Sequence, residues 1–394
     1  MVGNILRGDT SMKRAFICGD LTFPRGGASS NYVQYLGMAL SECGYEVHVV
    51  TTKNRSFSDS KINGLYIDEY KYSDGKVIRY IEFWLGAEKR IKEILEKYNL
   101  NYNDIIVTYT QKAVLAYKLR KLAKRKNAKI GGVVVEWFKK RDITTRRLSW
   151  YFAQYKYLME KEYKRFDFLF PISTYIESRY KDSVPYQLVL PIMADPYEYE
   201  RVSKNYEGRR FIFPSLGKMK DALNNMVKAA QKILTSQDNR IEVHFCGVRK
   251  EAVAEILEIK TSEIDPRMIF HPWMEYDELI RIYNNVHFLL MARSESQMTK
   301  ANFPSKVPEL MTYGVVPLAS RVGDYTEYYL QDGYNSVVFD GCEIETIVGA
   351  MKKCINLSDE ELCSLSNNAR KTVEEKFSYK VWLKPIKQFV ERIE

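Results

Sequence analysis

The chain alternates short, nearly all-apolar runs with longer stretches whose apolar positions recur at helical spacing. Arg14–Gly19 is an apolar run of strand type, and the loop after it, Asp20–Ser29, holds Pro24, Gly26 and Gly27. Within Ser30–Cys43, Tyr32, Val33, Leu36, Ala39, Leu40 and Cys43 fall on one helical face, and Gly44 stands where that helix should end. Tyr45–Thr51 then reads as a second buried strand. A strand, a glycine-containing loop, a helix and a strand in this order open a doubly wound α/β domain.

The alternation continues. Ile105–Tyr109, Ile130–Val135 and Phe168–Ile172 read as strands, with a basic helix at Ala113–Arg125 and a helical stretch at Ser173–Tyr180. Val189–Glu207 has two prolines and no clear period, which marks a boundary near residue 195. A second set follows: strands at Phe211–Pro214, Ile241–Cys246, Met268–His271, Val286–Met291, Val315–Ala319 and Val337–Phe339. Helical stretches separate them, the first at Ala222–Leu234. Helices at Glu343–Ile355, Asp359–Glu375 and Tyr379–Ile393 complete the chain. The expected architecture is α/β, with two Rossmann-like domains facing a cleft, residues 12–195 and 196–378. Ligands of such sheets sit at the carboxyl ends of the strands.

Composition narrows the function classes. A length of 394 residues suits two domains, and 45% hydrophobic with 28% charged residues excludes disordered, collagenous and coiled-coil chains. Sixty Lys and Arg against fifty Asp and Glu give a net charge of +10, which favours an anionic partner without choosing among nucleic acid, acidic lipid and phosphorylated small molecules. The six cysteines include no C-x-x-C pair and the four histidines no H-x-x-x-H pair, so neither a zinc site nor a disulfide framework is expected. Cys18, Cys43 and Cys246 read as buried reduced thiols, which fits a cytoplasmic location. No run approaches the ~18–20 apolar residues of a membrane span. Residues 1–11 lack a secretory core and precede a second methionine, Met12, so they are expected to be a leader outside the fold.

Arg293–Ser320 is the most informative stretch. Pro304 and Pro308 are compatible with a helix only at its start. That places the amides of Ser305, Lys306 and Val307 at a helix N-terminus, where an anion is favoured. Lys306 opposes the local field there, so a phosphate is expected to complete the site. Glu309 lies about a turn further in, able to face ribose hydroxyls, and Gly314 ends the helix. A second cationic turn, Phe213–Asp221, carries Gly217 and the lysines Lys218 and Lys220, which suit a diphosphate. The plainer alternatives are a solvated helix start and a basic surface loop. Gly26 and Gly27 are a weaker signal, without G-x-G-x-x-G spacing. There is no D-x-D pair, so no metal is expected and the cations would neutralise a leaving group themselves.

Taken together these residues resemble the GT-B glycosyltransferases, specifically the retaining, nucleotide-sugar-dependent glycosyltransferase family 4. The resemblance covers most of Met12–Val381. It rests on Pro24–Ser30, Val134–Trp137, Pro171–Ile176, Ser215–Asp221, Ala301–Leu310 and Gly314–Pro317. It implies a terminal helix, 379–394, returning to the first domain, and hexosyl transfer from a nucleotide-diphosphate sugar. It also implies roles. Glu309 matches the second glutamate of the E-x7-E motif, which contacts ribose. Lys218 and Lys220 match the diphosphate-binding turn, and Gly26 and Gly27 the loop that lets donor phosphates approach. Glu136 falls beside the reacting centre, where a surface salt bridge is the alternative. The first glutamate of E-x7-E is replaced by Ala301, which leaves Asn302 and Phe303 as candidate sugar contacts or implies a different sugar. A donor-binding pseudoenzyme, an epimerase or a hydrolase of the same fold remain alternatives.

Lys139–Arg165 is rich in cations and aromatics. Trp150, Tyr151, Tyr155 and Leu158 are spaced to line one helix face, ringed by Arg146, Arg147, Lys156, Lys161 and Lys164. Such a helix suits an anionic membrane surface, and the expected acceptor is a glycan or a lipid-diphosphate-linked sugar of bacterial surface polysaccharide. Packing of the aromatics into the domain is the alternative. Basic charge with 29 tyrosines would also suit nucleic acid, but no binding motif for it is present.

Overall fold

The computed structural model describes residues 12–25, 27–53, 58–139, 149–198, 202–215, 220–236 and 240–394. The expected leader, 1–11, lies outside the described residues. The first sheet contains β1 (Arg14–Phe23), β2 (Glu46–Lys53), β3 (Lys61–Ile62), β4 (Leu65–Glu69), β5 (Asp104–Tyr109), β6 (Lys129–Val134), β7 (Phe168–Pro171) and β8 (Tyr186–Gln187). Their order is β3-β4-β2-β1-β5-β6-β7-β8, parallel except for the β3–β4 pair. The second sheet is all parallel, in the order β11-β10-β9-β12-β13-β14. Its strands are β9 (Arg209–Phe213), β10 (Ile241–Cys246), β11 (Met268–His271), β12 (Phe288–Met291), β13 (Val316–Ser320) and β14 (Val337–Phe339).

The central strands are apolar on both faces because helices cover both: Ala15, Phe16, Ile17 and Cys18 of β1 are all buried, as is every residue of β12 and β13. Gly131 in β6 is fixed by the same packing. A Cβ there would come within 2.0 Å of the Phe168 ring of β7, so only glycine lets that ring lie across the strand. The strand order reverses at β1 between β2 and β5, and at β9 between β10 and β12. Each reversal opens a crevice at the carboxyl end of the sheet.

The chain passes between the domains twice, and the two passages are bonded to each other. The Ala194 N–H donates to the Phe377 carbonyl (2.9 Å), and the Tyr379 N–H donates to the Ala194 carbonyl (3.0 Å). The terminal helix Leu383–Ile393 then lies on the first domain. Phe389 packs on Phe170 at 5.2 Å between ring centres, and the Tyr45 hydroxyl donates to Glu394 (2.6 Å). Nearer the cleft, the Ser173 hydroxyl donates to the Ala301 carbonyl (2.9 Å). The Thr174 N–H and hydroxyl both donate to Asp324 (2.6 and 2.9 Å).

Three expectations change. The segment between β2 and β5 was not resolved into elements by its pattern, yet it holds β3, β4 and the helices Lys76–Leu85 and Glu88–Lys97. The first of these helices buries none of its residues, so its apolar positions report no core. The aromatic face expected in 139–165 is split. Tyr155 and Leu158 are buried in the first domain, Tyr151 is half-buried, and Trp150 is 59% exposed. The helix Ser149–Tyr157 widens into Leu158–Glu162, turning the fully buried Glu162 inward onto Arg120 (2.6 Å). Arg146 and Arg147 lie outside the described residues. Of the cysteines all six are free, but only Cys18 of the three expected to be buried is so; Cys43 and Cys246 are partly exposed at the ends of a helix and a strand.

Candidate functional site

The loops that leave the two sheets at their reversal points face each other across a cavity of about 360 Å³. The first sheet contributes Ala28, Tyr109 and Glu136. The second contributes Ser215, Lys220, Asp221, Arg293, Asn302, Phe303, Ser305 and Lys306. Six of the residues singled out in the sequence therefore meet: Glu136, Lys220, Asn302, Phe303, Ser305 and Lys306. Gly27 stands at the start of the helix Ala28–Glu42 with φ of 92°, next to Ala28 on the cavity wall. Gly26 and Lys218 lie outside the described residues.

Lys220 reaches across the cleft and donates a hydrogen bond to Glu136 Oε1. The other oxygen of Glu136 accepts from Gln111 Nε2 (3.2 Å), whose own carbonyl oxygen accepts from the Tyr151 hydroxyl. A chain of donors thus fixes the carboxylate from the first domain while Lys220 holds it from the second.

Sequence reasoning missed the ion pair on the second-domain side of the cavity. Arg293, immediately beyond β12, donates from Nε to Asp221 (2.8 Å) and from a terminal nitrogen to Asn302 (3.1 Å), and the Ser215 hydroxyl donates to Asp221 (3.0 Å). Both charged side chains are over nine-tenths shielded. Only its place at the carboxyl end of a central strand could have flagged Arg293.

Lys306 does begin a helix, Lys306–Met311, but it is not left facing a bare positive field. Its ammonium donates to both oxygens of Glu309 (3.0 Å each), one turn on, and Glu309 also accepts from the buried Tyr283 hydroxyl (3.2 Å). Glu309 lies just beyond the main cavity, lining a cleft of about 30 Å³ with Ser305 and Tyr276. Burial and the Glu309 charge push the Tyr283 and Tyr276 hydroxyls well above their ordinary range, so both remain donors. Ala301 is fully buried under the Ser173 contact, so the position of a first motif glutamate is occupied by an interdomain bond.

A second cavity, of about 650 Å³, adjoins the first through Glu136, Tyr109 and Ala28 and lies wholly within the first domain. Asp20, Gln111, Lys112, Phe83 and Tyr151 line it. Burial raises the Asp20 carboxyl above its ordinary value, an effect opposed by Lys112 and by the Thr110 hydroxyl. Burial likewise lowers the Lys112 ammonium, opposed by Asp20. Among the described residues no group of three His, Cys, Asp or Glu side chains is placed to hold a metal ion, and no helix is long and apolar enough to cross a membrane.

Comparison with known proteins bears on this arrangement. Residues 198–372 match the family model described as glycosyl transferases group 1. No curated protein sequence matches the chain. Among solved structures, a glycosyltransferase from Rickettsia africae is 15% identical with a TM-score of 0.65, covering 97% of this chain and 99% of its own. Anabaena HepE, solved in complex with UDP and glucose, is 12% identical with a TM-score of 0.70, covering 97% and 100%. WaaG, a glycosyltransferase involved in lipopolysaccharide biosynthesis, is 12% identical with a TM-score of 0.66, covering 95% and 99%. At such identities the likeness is one of fold. The two sheets and their cleft have the GT-B architecture, and residues 198–372 form a glycosyl transferases group 1 domain.

Proposed function

We propose that this protein is a retaining glycosyltransferase that moves a sugar from a nucleotide-diphosphate sugar to a glycan or lipid-linked acceptor without a metal ion. The observation that carries the reading is the cavity in which Glu136 of one domain meets Lys220, Arg293, Ser305 and Lys306 of the group 1 domain. The Anabaena relative bound to UDP and glucose supports a nucleotide-sugar donor. On this reading the donor diphosphate displaces Glu136 from Lys220 and settles among Lys220, Lys306 and the amides of Ser305 and Lys306. Glu309 holds ribose hydroxyls.

As the bond from the anomeric carbon to the diphosphate breaks, these groups stabilise the charge gathering on the leaving oxygens. The acceptor hydroxyl attacks from the same face, and its proton passes to the departing phosphate oxygen. Glu136, freed from Lys220 and still held by Gln111, orients that hydroxyl.

A thermal-shift panel of UDP-, GDP- and ADP-sugars tests donor binding, and product analysis with Lys220→Ala and Glu309→Ala tests transfer. Near-wild-type turnover in both variants rejects the reading. A second reading, a protein that binds the donor without transferring, is favoured by Ala301, because no carboxylate stands there to hold a donor hydroxyl. Donor binding with neither transfer nor hydrolysis in any acceptor mixture would select it. Peripheral attachment of the first domain to an anionic membrane belongs to the same proposal, and flotation with anionic vesicles tests it.

A further inference from the structure

We propose that the second cavity binds an anionic group of the acceptor, with Lys112 as its seat. Lys112 is only 4% exposed, yet it lines a cavity large enough for a sugar ring and its substituents. Among the described residues its ammonium has no hydrogen-bond acceptor and no carboxylate at ion-pair distance; Asp20 acts on it only through space. Its immediate surroundings are three aromatic rings: Phe83 at 4.5 Å, Trp84 at 4.9 Å and Tyr151 at 4.9 Å. Ring faces attract a cation, but they accept none of its three N–H bonds, so the desolvation of the ammonium is offset only in part.

The indole N–H of Trp84 is likewise buried and, among the described residues, has no acceptor. An ammonium so shielded, facing a cavity without an acceptor of its own, calls for an anion, whose oxygens would take up its hydrogen bonds. The cage is also built to hold the lysine still. The helix Lys76–Leu85, which supplies Phe83 and Trp84, ends at Gly86 with φ of 72°, where a Cβ would meet the Lys112 side chain at 3.0 Å.

The position of the cavity identifies what carries the anion. Glu136 and Ala28 line both cavities, so a ligand seated on Lys112 abuts the centre where the donor sugar is released. Asp20, Gln111 and Glu136 on the same walls are hydroxyl-binding groups. The ligand is therefore a hydroxylated molecule with a phosphate or a carboxylate close to its accepting hydroxyl. On the helix that carries Phe83, Val77 is 72%, Tyr80 62% and Ile81 51% exposed, an apolar surface beside the cavity that a lipid chain attached to such a phosphate would cover.

Naming this ligand as the acceptor rests on the glycosyltransferase reading; the anion seat does not. The test uses the whole protein with no donor present. Decyl phosphate, glucuronate and octyl glucoside are titrated by calorimetry into the wild type, Lys112→Met and Lys112→Arg, with Trp84 fluorescence followed in parallel. Expected is binding of both anionic probes to the wild type and Lys112→Arg, weakened by about tenfold or more in Lys112→Met. Octyl glucoside should bind all three proteins alike. Tighter binding of decyl phosphate than of glucuronate identifies a lipid-borne phosphate as the source, and the reverse order an acidic sugar.

Equal binding of the anionic probes to the wild type and Lys112→Met, or none to the wild type, overturns the proposal. So does their loss in Lys112→Arg while that protein keeps its melting temperature. Because no donor is used, a chain that binds the anions but never transfers a sugar would leave the seat standing and reject only the glycosyltransferase reading.

Discussion

On the second-domain side of the cleft the described cations have carboxylate partners: Arg293 with Asp221, Lys306 with Glu309, and Lys220 with Glu136 across the gap. On the first-domain side Lys112 is surrounded by rings, and Asp20 is desolvated, with the Thr110 hydroxyl at 3.4 Å. A paired cation is already oriented and can exchange one oxyanion for another at little reorganisation, which suits a site that takes the same diphosphate in every cycle. An unpaired one remains costly until its ligand arrives, which makes it selective. The group 1 family model matches within the first kind of half and not the second.

The comparison is most severely tested by Arg293→Leu. Removing one member of a shielded ion pair strands Asp221, so a loss of roughly 3–5 kcal/mol is expected in urea unfolding. Restoration by a paired Asp221→Leu change would confirm that pairing, rather than packing, is at stake. Next, Glu309→Ala should lower kcat/KM by about 10²-fold, the effect expected of a lost charged hydrogen-bond network. An effect below about threefold would place the ribose elsewhere.

In the first domain, Gly131→Ala should cost about 1–3 kcal/mol through the Phe168 ring, with little change in donor affinity. Equal damage to donor binding would show that the halves are less separate than their chemistry suggests.

The smallest effect comes from pH, and it has opposite signs in the two domains. Burial lowers His287 of the second domain to about 3. Because the unfolded chain takes up the proton first, its contribution is complete above the unfolded pKa of about 6.5 and is lost as pH falls toward the folded value. That amounts to about 1–2 kcal/mol between pH 6.5 and 5. His48 of the first domain is raised, since hydrogen bonds to Asp68 (2.8 Å) and Glu46 (3.1 Å) outweigh the opposing effect of burial. Its contribution is complete below about pH 6.5 and is lost as pH rises through the folded pKa. Unfolding curves of His287→Gln and His48→Gln against the wild type, across pH 5–8, should therefore diverge in opposite directions.

Much of this division was legible in the sequence. Every predicted strand of the second domain is present within a residue or two, because buried parallel strands are continuous apolar runs. Pro304 and Pro308 did place a helix start on the cleft. Pairing between side chains is not legible there: the pattern offers Lys306 and Glu309 as two donor ligands, and the structure adds that they hold each other. The second cavity was not legible as one site. Asp20, Phe83, Lys112 and Tyr151 come from four distant segments, and the spacing around Tyr151 suggested a surface face because it cannot report what other chain lies against it. The helix Lys76–Leu85 shows the same limit from the other side: its apolar positions Val77, Ile78, Tyr80 and Ile81 are exposed.

The two passages of the chain between the domains, bonded at Ala194 and Phe377–Tyr379, have a mechanical consequence. Two separate straps would resist both bending and twisting, but straps joined side by side behave as one pivot. Any widening of the gap would turn about this point and would have to break the Ser173–Ala301 and Thr174–Asp324 bonds nearer the cleft. The last helix, riding on the first domain, anchors the far end of the second strap. Cutting the chain before Leu383 would free that anchor and uncover the face of the first sheet on which Phe389 packs.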